Sequence, residues 1–146
     1  MKFHRIYLVP IILLILVFFG CTPANPYDTV PVKGTVLVDS KPLQGITVTF
    51  LPFAGEGQAA GGITDANGHF TLTVGGAPVG SGTLEGKYNV TFSKIELEEQ
   101  KMGQVGLPKT THLIPERYSD PKTSGIEPVI VEKKIKNKFN FKLSFQ

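Results

Sequence analysis

The chain contains no tryptophan, two methionines and a single cysteine among its 146 residues. A lone cysteine excludes an intramolecular disulfide, a Cys-x-x-Cys redox pair and any zinc site built on two or more thiolates, so the fold must rest on its apolar core. Charge of one sign is also scarce. With Lys2 and Arg5 set aside as part of the N-terminal segment, 13 basic residues face 12 acidic ones. Such a balance leaves no electrostatic footprint for nucleic acid, and no nucleic-acid partner is expected. Catalytic signatures are missing as well: no serine lies in a Gly-x-Ser-x-Gly elbow, the strained turn that exposes a nucleophile. His69 and His112 lack the further ligands of a zinc site. Asp65, Asn67 and His69 alternate as in a calcium loop but lack its remaining oxygen ligands and terminal glutamate, which makes them a turn. Glu96, Glu98 and Glu99 stand beside Lys94 and Lys101 and read as a solvated loop rather than an acid and base pair. The expectation is a non-enzyme with no metal and no cofactor.

What is present begins with a leader. Lys2, His4 and Arg5 precede an apolar run of 14 residues from Ile6 to Phe19, which is an export signal in form. A spanning helix needs about 20 apolar residues, and Gly20, Cys21, Thr22 and Pro23 stop this run short. The sole cysteine follows the small Gly20 at the end of the run, where bacterial lipoprotein signals place the thiol that receives lipid. Residues 1–20 are accordingly expected to be a signal peptide, cleaved between Gly20 and Cys21, with Cys21 as the lipid attachment site. Phe18 and Phe19 depart from the usual residues before such a cysteine. By resemblance to Gram-negative sorting signals, Thr22 in place of an aspartate implies release to the outer membrane rather than retention at the inner one. The expected location is the cell envelope, as a lipoprotein of the outer membrane or of the periplasmic face of a membrane. Residues 21–31, with three prolines, read as a flexible tether.

From residue 32 onward, sixteen glycines and eleven prolines in the whole chain punctuate short runs with the two-residue period of half-buried strands. Val32, Gly34, Val36 and Val38 share one face, after which Lys41 and Pro42 mark a turn. Ile46, Val48 and Phe50 form a second strand, and residues 59–64 a weaker third. Asp65-Ala66-Asn67-Gly68 reads as a tight hairpin turn, followed by a strand with Phe70, Leu72 and Val74 on one face. Tyr88, Val90 and Phe92 alternate in a fifth strand, residues 128–132 make a sixth, and Phe139, Phe141, Leu143 and Phe145 a seventh. Residues 95–125 break the rhythm and are the least regular stretch. The sum is an all-β domain over 32–146, about seven strands in an antiparallel sandwich that buries one face of each.

The segments KGTVLVDSKPLQGITVTF (33–50), TDANGHFTLTV (64–74) and GKYNVTFSK (86–94) resemble carboxypeptidase regulatory-like, or transthyretin-like, domains. Together with the leader and IPERYSDPKTSGI (114–126), the chain is similar to the small single-domain lipoproteins of planctomycete-type bacteria. The resemblance implies a prealbumin-like, Greek-key sandwich and matches at Gly34, Pro42, Gly45, Asp65, Gly68 and Tyr88, which are turn and core positions. It carries no active site. Transthyretin-like hydrolases of a purine breakdown product use a Tyr-Arg-Gly-Ser ending where this chain has Leu143-Ser144-Phe145-Gln146, and that activity is not implied.

Two exposed features could recognise something. Arg117 and Tyr118 in the irregular segment, with His112 nearby, make a candidate binding loop, because Arg and aromatic residues on loops are common recognition groups. The competing expectation is that Ile114, Pro115 and Tyr118 pin the loop to the sandwich. Lys133, Lys134, Lys136 and Lys138 cluster before the last strand, where they either touch anionic head groups or solvate a turn and blunt an edge. The expected function is a lipid-anchored, non-enzymatic envelope module with membrane contact through its anchor and a protein or glycan partner. The alternatives are an envelope-associated hydrolase centred on His112, Glu116 and Arg117, and an accessory domain that stabilises a partner protein.

Overall fold

The structure, a computed structural model, describes residues 25–55, 57–97 and 109–146; the expected signal peptide, Gly20, Cys21 and the carboxylates Glu98 and Glu99 lie outside them. Eleven strands are found among the described residues: β1 (Val32–Val38), β2 (Lys41–Pro42), β3 (Thr47–Pro52), β4 (Ala60–Ile63), β5 (His69–Thr71), β6 (Thr73–Val74), β7 (Gly86–Ser93), β8 (Ile95–Leu97), β9 (Thr110–His112), β10 (Val129–Val131) and β11 (Asn137–Leu143). A 3-10 turn covers Glu116–Ser119. One sheet has β1 at its centre, with β11 along one side and β2 and β5 sharing the other; the second runs β10-β7-β3-β4-β6. A separate ribbon pairs β8 with β9. The protein is an all-β sandwich.

Alternation makes the core. Val32, Val36 and Val38 of β1, Val48 and Phe50 of β3, Val90 and Phe92 of β7, and Phe141 and Leu143 of β11 are all buried, while their sequence neighbours turn outward or sit half-buried. The exception is Thr91, a buried polar residue between Val90 and Phe92. Aromatic rings join the sheets. Phe92 meets Phe141 edge-on with centroids 5.0 Å apart, and Phe50 contacts Phe70, Phe139 and Phe141 at 5.8 to 6.4 Å. Such pairs contribute about 0.5–1.5 kcal/mol each beyond their burial. Tyr88 lies near the start of β7: its hydroxyl donates to the Leu84 carbonyl at 3.0 Å and accepts from Thr83 at 3.1 Å, which satisfies the polar tip of a buried ring.

Four local expectations change. The first turn lies at Asp39 and Ser40, both at positive φ (46° and 66°), not at Lys41-Pro42, which instead pair back onto Val38 and Leu37 as β2. Two left-handed residues are what a two-residue hairpin on twisted strands requires. In the second turn only Gly68 has positive φ, and its N–H donates to the Asp65 carbonyl at 2.9 Å. The strands flanking that turn then part company, because β4 pairs with β3 whereas β5 pairs with β1. The run Phe70-Leu72-Val74 is therefore two strands in two sheets. Finally, β1 and β11 are parallel, in register from Val32 opposite Asn137 to Val38 opposite Leu143, so the smaller sheet is mixed.

The domain also begins before residue 32. Val30 is buried, its N–H donates to the Thr83 carbonyl at 2.6 Å, and the Thr83 N–H returns to Val30 at 3.0 Å. Tyr27 packs against the core, and Asn25 ties down Thr29 and the Tyr27 N–H. Within the expected tether, residues 27–31 are thus docked on the sandwich.

Candidate functional site

The parallel pairing of β1 with β11 gives the sandwich two distinct ends. Strands that run side by side in the same direction begin at the same end, so the segment leading into β1 and the turn leading into β11 lie together. The pairing of β7 with β10, Gly86 opposite Val131, brings the start of β7 to this end too. The opposite end carries the Asp39-Ser40 turn, the Asp65–Gly68 turn, the close of β7 and the β8–β9 ribbon that follows it.

At the far end the ribbon projects all of its described residues into solvent. Ile95 stands opposite His112 and Leu97 opposite Thr110, so these four share one face, with Glu96 and Thr111 on the other. Ile95 and Leu97 are 51% and 61% exposed. Nothing in the irregular sequence of residues 95–125 marks this aliphatic pair. Beneath the ribbon, Ile114 and Tyr118 are buried. The Tyr118 hydroxyl accepts the Ser144 N–H at 2.9 Å and donates to its carbonyl at 3.2 Å. The Arg117 guanidinium bonds the same hydroxyl at 3.1 Å and the carbonyls of Ser144 and Gln146. Both residues therefore clasp the segment after β11; of Ile114, Pro115 and Tyr118, expected to pin the loop, Ile114 and Tyr118 are buried and Pro115 is half-buried. Only His112 of the three candidate binding residues faces outward, with Glu116 at 3.9 Å. The guanidinium of Arg117 is committed to backbone carbonyls, so His112, Glu116 and Arg117 do not converge on a common point.

Asp65 organises the neighbouring turn. Its carboxylate accepts the backbone N–H groups of Asn67 at 2.8 Å and His69 at 2.9 Å, and the His69 ring lies 3.6 Å away. The bond from His69 is the main cause that holds the Asp65 carboxyl below the usual aspartate range. Among the described residues no group of three or more His, Cys, Asp or Glu side chains is disposed to hold a metal.

At the tether end the turn between β10 and β11 presents Lys133, Lys134, Ile135 and Lys136, all exposed. Asn137 builds it: its buried side chain donates to the carbonyls of Glu132 at 2.8 Å and Ile135 at 3.3 Å and accepts the Glu132 N–H at 3.1 Å. Beside this turn runs a groove of about 510 Å³ with Val30, Pro31 and Ile135 along it and Lys33, Lys136 and Lys138 among its walls. Lys133 bonds Asp28, which raises the ammonium pKa above its ordinary value. Close by, the Lys87 ammonium sits 4.0 Å over the half-exposed Phe53 ring. The lysine cluster was legible in the sequence; its meeting with Lys33 and the docked residues 30–31 depends on the parallel pairing and was not. Among the described residues no helix is long and apolar enough to cross a membrane. No family model, curated protein or solved structure matches this chain.

Proposed function

We propose that this chain is a lipid-anchored, non-enzymatic binding module of the bacterial cell envelope, a transthyretin-like or carboxypeptidase regulatory-like sandwich that holds a binding surface away from its membrane. The observation that carries the reading is the polarity of the fold. The segment leading back to Cys21 joins one end, and the exposed ribbon with Ile95, Leu97 and His112 leaves the other. Two or three acyl chains on Cys21, at about 0.8 kcal/mol per buried CH2, anchor a protein without help from its domain. The far end is then free to meet a partner, and an aliphatic pair on an exposed ribbon suits a protein partner better than a glycan, which asks for aromatic platforms and dense hydrogen bonding.

Intact mass and membrane fractionation test the anchor, on protein expressed with its own leader beside Cys21→Ala. The expected parent has lost residues 1–20, gained lipid and sediments with membranes, and the substitution abolishes all three. A soluble, unlipidated product overturns the anchor. For the partner surface, Ile95→Ser with Leu97→Ser is expected to leave the fold and the anchoring intact and to remove a specific envelope cross-link formed by a photoreactive group at His112.

A further inference from the structure

We infer that the tether end of the sandwich is a docking face for an anionic lipid surface, so that the anchored domain stands on its lysine turn in a fixed orientation; the inference rests on the anchor reading. Three observations meet here. First, the reach is short: five residues separate Cys21 from the docked Tyr27, a span of no more than about 20 Å at full extension. Lipid on Cys21 therefore brings this end, and no other, against the head groups.

Second, the charge is concentrated there. Among the described residues of this end, Lys33, Lys87, Lys133, Lys134, Lys136 and Lys138 stand against Asp28, Glu85 and Glu132, while the whole chain after the leader is nearly neutral. Asp28 is taken up by Lys133, and Glu85 accepts the Lys133 backbone N–H at 3.4 Å. Among the described residues Lys33, Lys134, Lys136 and Lys138 have no acidic partner, which leaves them to meet phosphate. Third, Ile135 lies 55% exposed among these lysines, on a turn held in shape by a buried asparagine. An aliphatic side chain ringed by lysines on a rigid turn fits the boundary between head groups and acyl chains, where the apolar part is buried shallowly and the cations meet anionic lipid.

The test uses the lipidated full chain carrying Ile135→Cys, labelled with an environment-sensitive dye and reconstituted in vesicles of phosphatidylcholine alone or mixed equally with phosphatidylglycerol. Lipid occupies the Cys21 thiol, so a second dye on a chain reports a free Cys21, and intact mass reads the anchor independently. The expected result is a blue-shifted, brighter dye in the anionic vesicles only. High salt reverses it, Lys33→Gln with Lys134→Gln, Lys136→Gln and Lys138→Gln abolishes it, and Lys41→Gln with Lys142→Gln at the far end leaves it unchanged. A lipidated chain whose dye is the same in both vesicles overturns the docking face and spares the anchor. An unlipidated chain whose dye still responds supports the face and removes the anchor, and an unlipidated, silent chain overturns both.

Discussion

Gly34 occupies an inward position of β1 between two strands, opposite Phe70 on one side and Phe139 on the other. A Cβ there would stand 2.2 Å from the Phe139 carbonyl oxygen and 2.5 Å from two carbons of the Phe70 ring, so the ring fills the space that a side chain would otherwise claim. Gly34→Ala is expected to destabilise the domain by about 1–3 kcal/mol, the range for overpacking a close-packed core, measured as a lower urea midpoint at unchanged slope. Ser40 poses the opposite case. Its φ of 66° costs an ordinary residue about 1–2 kcal/mol, against about 0.5–1 kcal/mol for the extra chain entropy that glycine loses on folding. Ser40→Gly is therefore expected to stabilise by roughly 0.5–1 kcal/mol; a lower midpoint would mean that the Ser40 side chain contributes more than its backbone costs. Gly34 was legible in the sequence as an inward strand position. The ring above it was not, since nothing in a one-dimensional pattern says which phenylalanine faces which gap.

At the scale of elements, the turn at Asp65–Gly68 joins the two sheets, and its carboxylate is what the backbone of that turn closes around. Because the folded chain resists protonating Asp65, this contribution is complete above the ordinary aspartate pKa and is lost as pH falls through the lowered folded value. The stability difference between the parent and Asp65→Ala is thus expected to be full at neutral pH and to shrink below about pH 4, which denaturant titrations across that range would read. A difference that stayed constant into acid would assign the effect to shape rather than charge. Alternation predicted where these elements are but not how they pair. Phe70, Leu72 and Val74 all point into the same core, so their period of two continues unbroken while the chain steps from one sheet to the other. The same blindness explains the parallel β11, since a strand's inward residues are the same whichever way its neighbour runs. The ribbon of β8 and β9 escaped notice for a different reason: all its described residues are exposed, and without burial there is no contrast to read.

At the scale of the whole molecule, the parallel pair means that the sandwich is closed by its two ends. β1 can complete its hydrogen bonding only with a strand about a hundred residues further on, and long-range pairing of this kind comes at the expense of chain entropy that local contacts do not repay. β11 also supplies Phe139 and Phe141, which join Phe50, Phe70 and Phe92 in the aromatic centre of the core. Deletion of residues 137–146 is accordingly expected to abolish cooperative unfolding rather than to lower its midpoint, with near-UV dichroism from the tyrosine and phenylalanine core lost at all temperatures. A shortened chain that still melted in one sharp transition would show that β1 to β10 hold a core without the closing strand. In that event the common origin of the tether and the lysine turn, which depends on β11 lying beside β1, would be a property of the full chain added late in folding rather than a condition for folding at all.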